Sequence, residues 1–279
     1  MNHYPSNVKE KLNSIILSMA EHHWLFSKNP GHDFTRQHLG KLSFYDTMRL
    51  IISMGKGSTN DEIMDYFNLD PDLIPSQSAF CQRRRQISLS AFEYLFSEFS
   101  SSFPSTTDKF KDHCILACDG CHVVYATNSD IIEDYNKPRL IDYKGYNHMH
   151  LNGFVDVISK AFLDVVIQPG QQPDEREALH SMLDHFTPDD PQKYIITADR
   201  GYESYDLLFH CELKNLGYVF RVKSPSSPKS ILSYYASELP DDLEEFNVTI
   251  KLFFTDKATN IMKSQSDVYR YINPSKNTP

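Results

Sequence analysis

Two aspartates stand where predicted β-strands end. Asp119 follows the apolar run 115–118, and Asp199 follows the β-branched run 194–198. In α/β sheets, the loops at the carboxyl ends of strands form active sites. Paired aspartate oxygens suit Mg²⁺ or Mn²⁺, and two such ions can activate an attacking hydroxyl and stabilise the leaving oxygen of a phosphodiester. A strand-end aspartate also commonly serves as a turn or helix-cap residue, so the pair alone leaves both roles open.

The elements around these aspartates alternate between strands and helices. Hydrophobic periodicity predicts the order strand, strand, strand, helix, strand, helix, strand, at residues 115–119, 148–158, 161–168, 175–186, 193–199, 202–216 and 218–223. Ser159-Lys160 gives a tight hairpin connection, and Gly217 is predicted to end the last helix. Three strands before the first crossover helix is the order of a ribonuclease-H-like α/β fold. In that order the first and fourth strands lie side by side, so Asp119 and Asp199 would converge.

The first part of the chain is predicted to be helical. Residues 42–54 form one helix, Ser58 or Thr59 caps a second helix that ends near Phe67, and Ser76 or Ser78 caps a third. The third helix carries three consecutive arginines, Arg83, Arg84 and Arg85. The arrangement suits a small DNA-binding module, although three consecutive arginines also point in different directions and can simply solvate a helix.

The length, net charge and cysteine count limit the classes of protein to which the chain can belong. The 279 residues carry a net charge of -9, with most of the excess acid in the second part, so phosphate binding would depend on local basic clusters. Five cysteines spread over a long chain argue against a disulfide framework and favour a reducing compartment. No signal peptide or membrane-spanning run is visible, and a cytoplasmic location is expected.

Several motifs in one order resemble a known family. The segments 144–152, 164–170 and 198–204 look together like the catalytic domain of insertion-sequence transposases of the DDE superfamily. The nearest group is the IS-four-like one, whose third acid lies in a Tyr-Arg-Glu-Lys signature. Asp119-Gly120 is similar to its first acidic motif, and Asp199-Arg200-Gly201-Tyr202 is similar to its second.

The resemblance implies a division of the chain and a function. Residues 1–107 would be a helical DNA-binding region, 108–224 an incomplete ribonuclease-H-like catalytic core, and 225–279 the start of a β-rich insertion that ends prematurely. The protein would bind transposon ends and target DNA, with a homodimer on DNA allowed, and act in the prokaryotic nucleoid. Asp119 and Asp199 would hold Mg²⁺ or Mn²⁺, and further basic residues would contact DNA strands: Lys144, Arg200, Arg221 and Lys223.

The third acid of the signature does not appear after Asp199. Tyr218 and Arg221 have the right spacing, but Pro225 stands where the glutamate should be. Other glutamates could in principle replace the signature glutamate, but the fold would not place any of them at the site: Glu203, Glu212, Glu238, Glu244 and Glu245. We therefore expect a truncated chain with impaired cleavage. The alternative is a catalytically inactive protein that only binds DNA or inhibits the full-length enzyme.

Cysteine and histidine groupings offer a competing metal site. A zinc site could draw on Cys114, Cys118, Cys121 and His122, with His113 nearby. Their spacing matches no common zinc finger, and alternation on a strand favours buried thiols at Cys114 and Cys118. His148 and His150 share one strand face and are interpreted as ordinary strand residues.

Overall fold

The computed structural model describes residues 4–35, 41–102, 109–137 and 144–233. The chain divides into two compact units, Met1–Pro104 and Ser105–Pro279. The described part of the first unit is helical, and that of the second combines a sheet with helices. The predicted domain boundary at 107–108 and the predicted strand at 247–254 lie outside the described residues.

Helices form the described part of the first unit. They are α1 (Tyr4–Glu21), α2 (Phe44–Ser53), α3 (Thr59–Tyr66), α4 (Gln77–Gln86) and α5 (Leu89–Ser101). Ser43, Ser58 and Ser76 begin α2, α3 and α4, and each serine hydroxyl accepts a hydrogen bond from the backbone amide three residues on. Such a cap contributes about 1 kcal/mol, because it pairs an amide that the helix start leaves open. No helix in these described ranges has the length and apolarity needed to cross a membrane.

The core of the first unit takes in one of the three arginines. Phe80 is fully buried on α4 and packs with Leu42, Leu50 and Ile63. On the same helix, Arg83 is only 8% exposed, and its guanidinium lies 5.1 Å from the centre of the Phe34 ring. Burial lowers the pKa of Arg83 below its ordinary value. Arg83 therefore belongs to the packed interior rather than to the surface of α4.

The second unit is built on a six-stranded sheet. Its strands are β1 (Cys114–Tyr125), β2 (Tyr135–Asn136), β3 (Tyr146–Asp156), β4 (Phe162–Pro169), β5 (Tyr194–Ala198) and β6 (Gly217–Phe220). The path runs β2-β3-β1-β5-β6, and β4 pairs with the same edge of β3 as β2 does. β3 is antiparallel to β1, β2 and β4, whereas β5 is parallel to both β1 and β6. The sheet is thus antiparallel on one side of β1 and parallel on the other.

Two helices cover one face of this sheet. α6 (Glu175–His185) connects β4 to β5, and α7 (Tyr205–Leu213) connects β5 to β6. Their apolar side chains pack against alternate residues of β1, β3 and β5 in one core, which includes Leu116, Cys118, Phe154, Leu179, Met182, Ile196, Tyr202 and Leu207. The core fixes the start of α6 and the end of β5 in relation to β1.

Several element boundaries differ from the sequence prediction: α7 spans Tyr205–Leu213 and not 202–216, and β6 ends at Phe220 and not at residue 223. β1 continues to Tyr125, beyond the predicted end at residue 119, because antiparallel pairing with β3 extends that far. Gly217 was expected to end a helix, but it begins β6. The helix ends earlier, and Asn215 takes the left-handed conformation with φ of 54°. Asparagine tolerates that conformation better than most residues, so it can replace glycine there.

A pair of stacked histidines joins α6 to α7. The Nδ1 atoms of His180 and His210 lie 2.8 Å apart. The Nε2 atom of His180 lies 2.8 Å from the Asp206 carboxylate, and that of His210 lies 3.1 Å from the Asp184 carboxylate. The space between the Nδ1 atoms accommodates one proton but not two. Burial first, and then the charge of His180, lowers the pKa of His210.

The protein is expected to lose stability as the pH falls through the histidine range. Because the pKa of His210 is lower in the folded protein, the unfolded chain binds this proton more tightly. The stability contribution is complete above about pH 6.5, the ordinary histidine pKa, and is lost as the pH falls toward the folded-state pKa. Thermal unfolding from pH 8 to pH 5 measures this, and His210→Gln should flatten the profile. The exposed His185→Gln serves as control, and an unchanged profile in His210→Gln would contradict the assignment.

Candidate active site

The parallel pairing of β1 with β5 brings the two aspartates together. Cys118 pairs with Ala198 at the end of the β1–β5 ladder, and Asp119 and Asp199 are the next residues on each chain segment. Neighbouring strands are about 4.8 Å apart, so the two backbones emerge side by side. Both aspartates are exposed. Their Oδ1 atoms accept hydrogen bonds from the amides of Gly120 at 2.9 Å and Gly201 at 2.6 Å.

A third carboxylate, that of Glu175, lies beside Asp199. Glu175 is the first residue of α6. Its Oε2 atom and the Oδ1 atom of Asp199 are each 2.9 Å from the point where a Cβ on Gly201 would stand. The two oxygens are therefore separated by at most twice that distance. Sequence reasoning missed Glu175, because an acidic residue in the first turn of a helix is ordinary: it interacts favourably with the helix dipole.

Buried polar side chains of β3 form the inner wall of this site. His150 is 3% exposed and Asn152 is fully buried. The Nε2 atom of His150 and the Oδ1 atom of Asn152 both point at Gly120, the residue after Asp119. The Oδ1 atom of Asn152 and both ring nitrogens of His150 lack hydrogen-bond partners among the described residues. His150 Nε2 lies 3.4 Å from Glu175 Oε1. His148, two residues earlier, is bonded to the Asn136 side chain.

Three of the predicted DNA-contacting residues lie near the acids. The amide of Arg221 bonds to the carbonyl of Ala198 at 3.0 Å, which places Arg221 beside Asp199 on the neighbouring strand end. Arg200 and Arg221 are both exposed. Lys223 is engaged differently: its ammonium lies 2.7 Å from Glu203, whose side chain is fully buried, and 2.9 Å from the carbonyl of Arg200. Lys223 thus ties the Asp199 loop to the segment after β6.

Lys144 lies far from the acids within the second unit. Lys144 precedes Gly153, the β-partner of Asp119, by nine residues, so extended backbone carries Lys144 roughly 30 Å away. In the helical unit, Arg83 is buried as described, whereas Arg84 and Arg85 are exposed. Of the predicted DNA-contacting residues, Arg200 and Arg221 are therefore the exposed ones near the acids.

The alternative glutamates are paired with other residues or lie outside the described residues. Glu203 is paired with Lys223, and Glu212 accepts a hydrogen bond from the Tyr218 hydroxyl at 2.9 Å. Glu238, Glu244 and Glu245 belong to the part of the chain that is not described. Pro225 stands in the loop after Ser224, so no acid is supplied at that point.

The cysteines do not form a zinc site. Cys114 and Cys118 are buried, whereas Cys121 is exposed. Burial raises the pKa of the Cys118 thiol to about 12, which keeps it protonated. Across the described ranges, no group of three or more histidine, cysteine, aspartate or glutamate side chains is assembled as a metal site. Oxygen donors nevertheless dominate at the strand ends, and this chemistry fits Mg²⁺ or Mn²⁺ better than zinc.

Comparison with known families agrees with this chemistry. The family model described as "Transposase DDE domain" matches residues 110–271. This is more than half of the chain, and the chain therefore belongs to that family. Members of the family are metal-dependent DNA-cutting proteins of transposition. No curated protein sequence matches the chain significantly.

We expect Lys223 to contribute more to the stability of the fold than an exposed surface lysine does. Lys223→Met leaves the buried Glu203 carboxylate short of its charged partner, which should cost about 1 to 3 kcal/mol of unfolding free energy or more. Urea denaturation measures the loss. Adding Glu203→Gln to Lys223→Met should recover part of it, and the exposed Lys144→Met should stay within about 0.5 kcal/mol of the parent. Equal stability of the two lysine variants would contradict the structural role.

Proposed function

We propose that this protein binds transposon-end DNA and cuts and joins phosphodiester bonds with a divalent metal. The observation that carries the proposal is the adjacency of Asp119 and Asp199 at paired strand ends, inside the segment that matches the DDE domain. Target DNA as a second substrate, a homodimer on DNA and a location at the nucleoid stay predictions.

The topology supports a ribonuclease-H-like core. The path β4-β3-β1-β5-β6 has an antiparallel meander on one side of β1 and two parallel strands on the other. The crossover helices α6 and α7 both pack on one face of the sheet. This is the order that the sequence predicted, with β2 as a short addition at the edge of β3.

The residues at the strand ends can divide the chemistry among them. Asp119 and Asp199 would hold Mg²⁺ or Mn²⁺, which when bound supplies Lewis-acid stabilisation of charge on phosphate oxygens. Arg221, beside Asp199, and Arg200, directly after it, are exposed and can bind phosphate groups of the DNA strand. Phosphate contacts of this kind position a strand without reading its sequence.

Cleavage tests the catalytic part of the proposal. The purified protein is expected to nick DNA carrying the ends of its element only slowly in the presence of Mn²⁺, because Pro225 stands where the signature glutamate is expected. Asp119→Asn and Asp199→Asn should each reduce the rate at least about 10- to 100-fold, the range seen when even a residue that only orients a metal ligand is removed. The exposed Asp130→Asn is the matched control. Nicking that survives both active-site substitutions would refute the proposed catalytic pair.

A second candidate function is DNA binding without catalysis. Pro225 in place of the signature glutamate favours it. Under this hypothesis, gel-shift binding to the element's ends occurs without any nicking, and Asp119→Ala leaves the affinity unchanged. Metal-dependent nicking that Asp199→Asn abolishes would exclude it.

DNA binding by the helical unit rests on the exposed arginines of α4. The double variant Arg84→Gln, Arg85→Gln should weaken binding to all DNA sequences and reduce the slope of log affinity against log salt by about 2, because two phosphate contacts are lost. The exposed pair Lys9→Gln, Lys11→Gln on α1 gives the same charge change as a control. Fluorescence anisotropy across a salt series measures the slopes, and equal slopes for both double variants would contradict a phosphate-binding role for α4.

A further inference from the structure

We propose that Trp24 stacks on an unpaired base of a DNA strand, while Lys28, Arg84 and Arg85 bind the phosphates beside that base. The inference rests on the proposed function, since it adds a base contact to a helical unit for which only phosphate contacts have been argued so far. It names a second chemical feature of the DNA, the open face of a base, that this unit recognises.

Trp24 is held at the surface of the helical unit by its neighbours. It lies in a short 3₁₀ helix, His23–Phe26, that follows α1. Phe26 is buried in the core of the unit. Successive residues of a 3₁₀ helix are turned by about 120°, so Trp24 faces away from the core and is 44% exposed. The rings of His22 and His23 lie 5.3 and 5.7 Å from the indole in T-shaped contact and limit its rotation.

The backbone joins the Trp24 segment to the arginine end of α4. The amide of Lys28, four residues after Trp24, donates to the carbonyl of Gln86 at 2.8 Å. Gln86 directly follows Arg84 and Arg85, so Lys28 and both arginines emerge from adjoining backbone. All three cations are exposed. An exposed aromatic ring and three exposed cations therefore share one region of the helical unit.

The charge of this region complements a nucleic acid strand. Residues 22–32 and 84–90 include no aspartate or glutamate, although the whole chain has a net charge of -9. Proteins bind single strands by combining cations that follow the phosphates with aromatic rings on which bases stack. A base offers its face to such a ring where it is unstacked from its neighbour. Strand cutting, the proposed function, creates positions of this kind.

The fluorescence of Trp24 tests the contact directly, because the chain contains one tryptophan. The full-length protein is titrated with a short oligothymidine. Stacking should quench the indole emission and protect the bound indole from acrylamide. A strand of the same length in which abasic sites replace the bases carries the same charge. That strand should bind at least about fivefold more weakly and leave the emission unchanged, because it offers no base to stack.

Substitution of Trp24 separates stacking from phosphate binding. Trp24→Ala should weaken binding of a labelled oligothymidine at least about fivefold, with no change in the slope of log affinity against log salt, because stacking is uncharged. Trp24→Phe retains a ring and should keep part of the affinity. Leu73→Ala removes an exposed apolar side chain before the other end of α4 and should bind like the parent. Circular dichroism melts establish that each variant is folded.

The outcomes separate this inference from the proposed function. If the abasic strand quenches the emission as strongly as oligothymidine, or if Trp24→Ala binds like the parent, Trp24 does not stack and phosphate binding by α4 stands. Emission that changes with protein concentration in the absence of DNA would show that a second copy covers Trp24, which also overturns the inference. If the parent binds neither oligothymidine nor duplex DNA, the inference and the proposed function are both wrong.

Discussion

The parallel pairing of β1 with β5 is the constraint on which the site depends. Its register sets Cys118 opposite Ala198, and both side chains point into the core under α6 and α7. Moving the pairing by one residue would take these side chains out of the core, so the apolar packing fixes the register. The register in turn sets Asp119 beside Asp199. A hydrophobic requirement on one face of the sheet thus determines where charged residues meet at its edge.

The same core places α6. Ala178, Leu179, Met182 and Leu183 are each at most 1% exposed, and together they determine the rotation of the helix. Glu175 precedes this apolar stripe by one turn and so reaches the edge of the sheet rather than the solvent behind it. The packing of these apolar residues, one turn away, therefore positions the Glu175 carboxylate. Glu177 lies on the solvent face of the helix and is not positioned in this way.

Charge is distributed unevenly around the acidic edge. Lys223 is paired with the buried Glu203, and Lys144 lies before the start of β3. Of the predicted DNA-contacting residues, Arg200 and Arg221 are therefore the exposed ones near the acids. Exposed arginines next to the acids can bind the phosphate groups of a polyanion. In the helical unit, the packing of Phe34 on Arg83 likewise leaves Arg84 and Arg85 as the exposed members of the arginine run.

The sequence by itself determined the order of strands and helices, because hydrophobic periodicity depends on local backbone geometry. It also identified Asp119 and Asp199, since each follows an apolar strand directly. It did not reveal the extension of β1 to Tyr125, which needs β3 as a partner, or the burial of Arg83, which needs Phe34. It also gave no sign of Glu175, which looks like any acidic residue at a helix start. Only the tertiary structure decided these points, because each depends on contacts between segments distant in the chain.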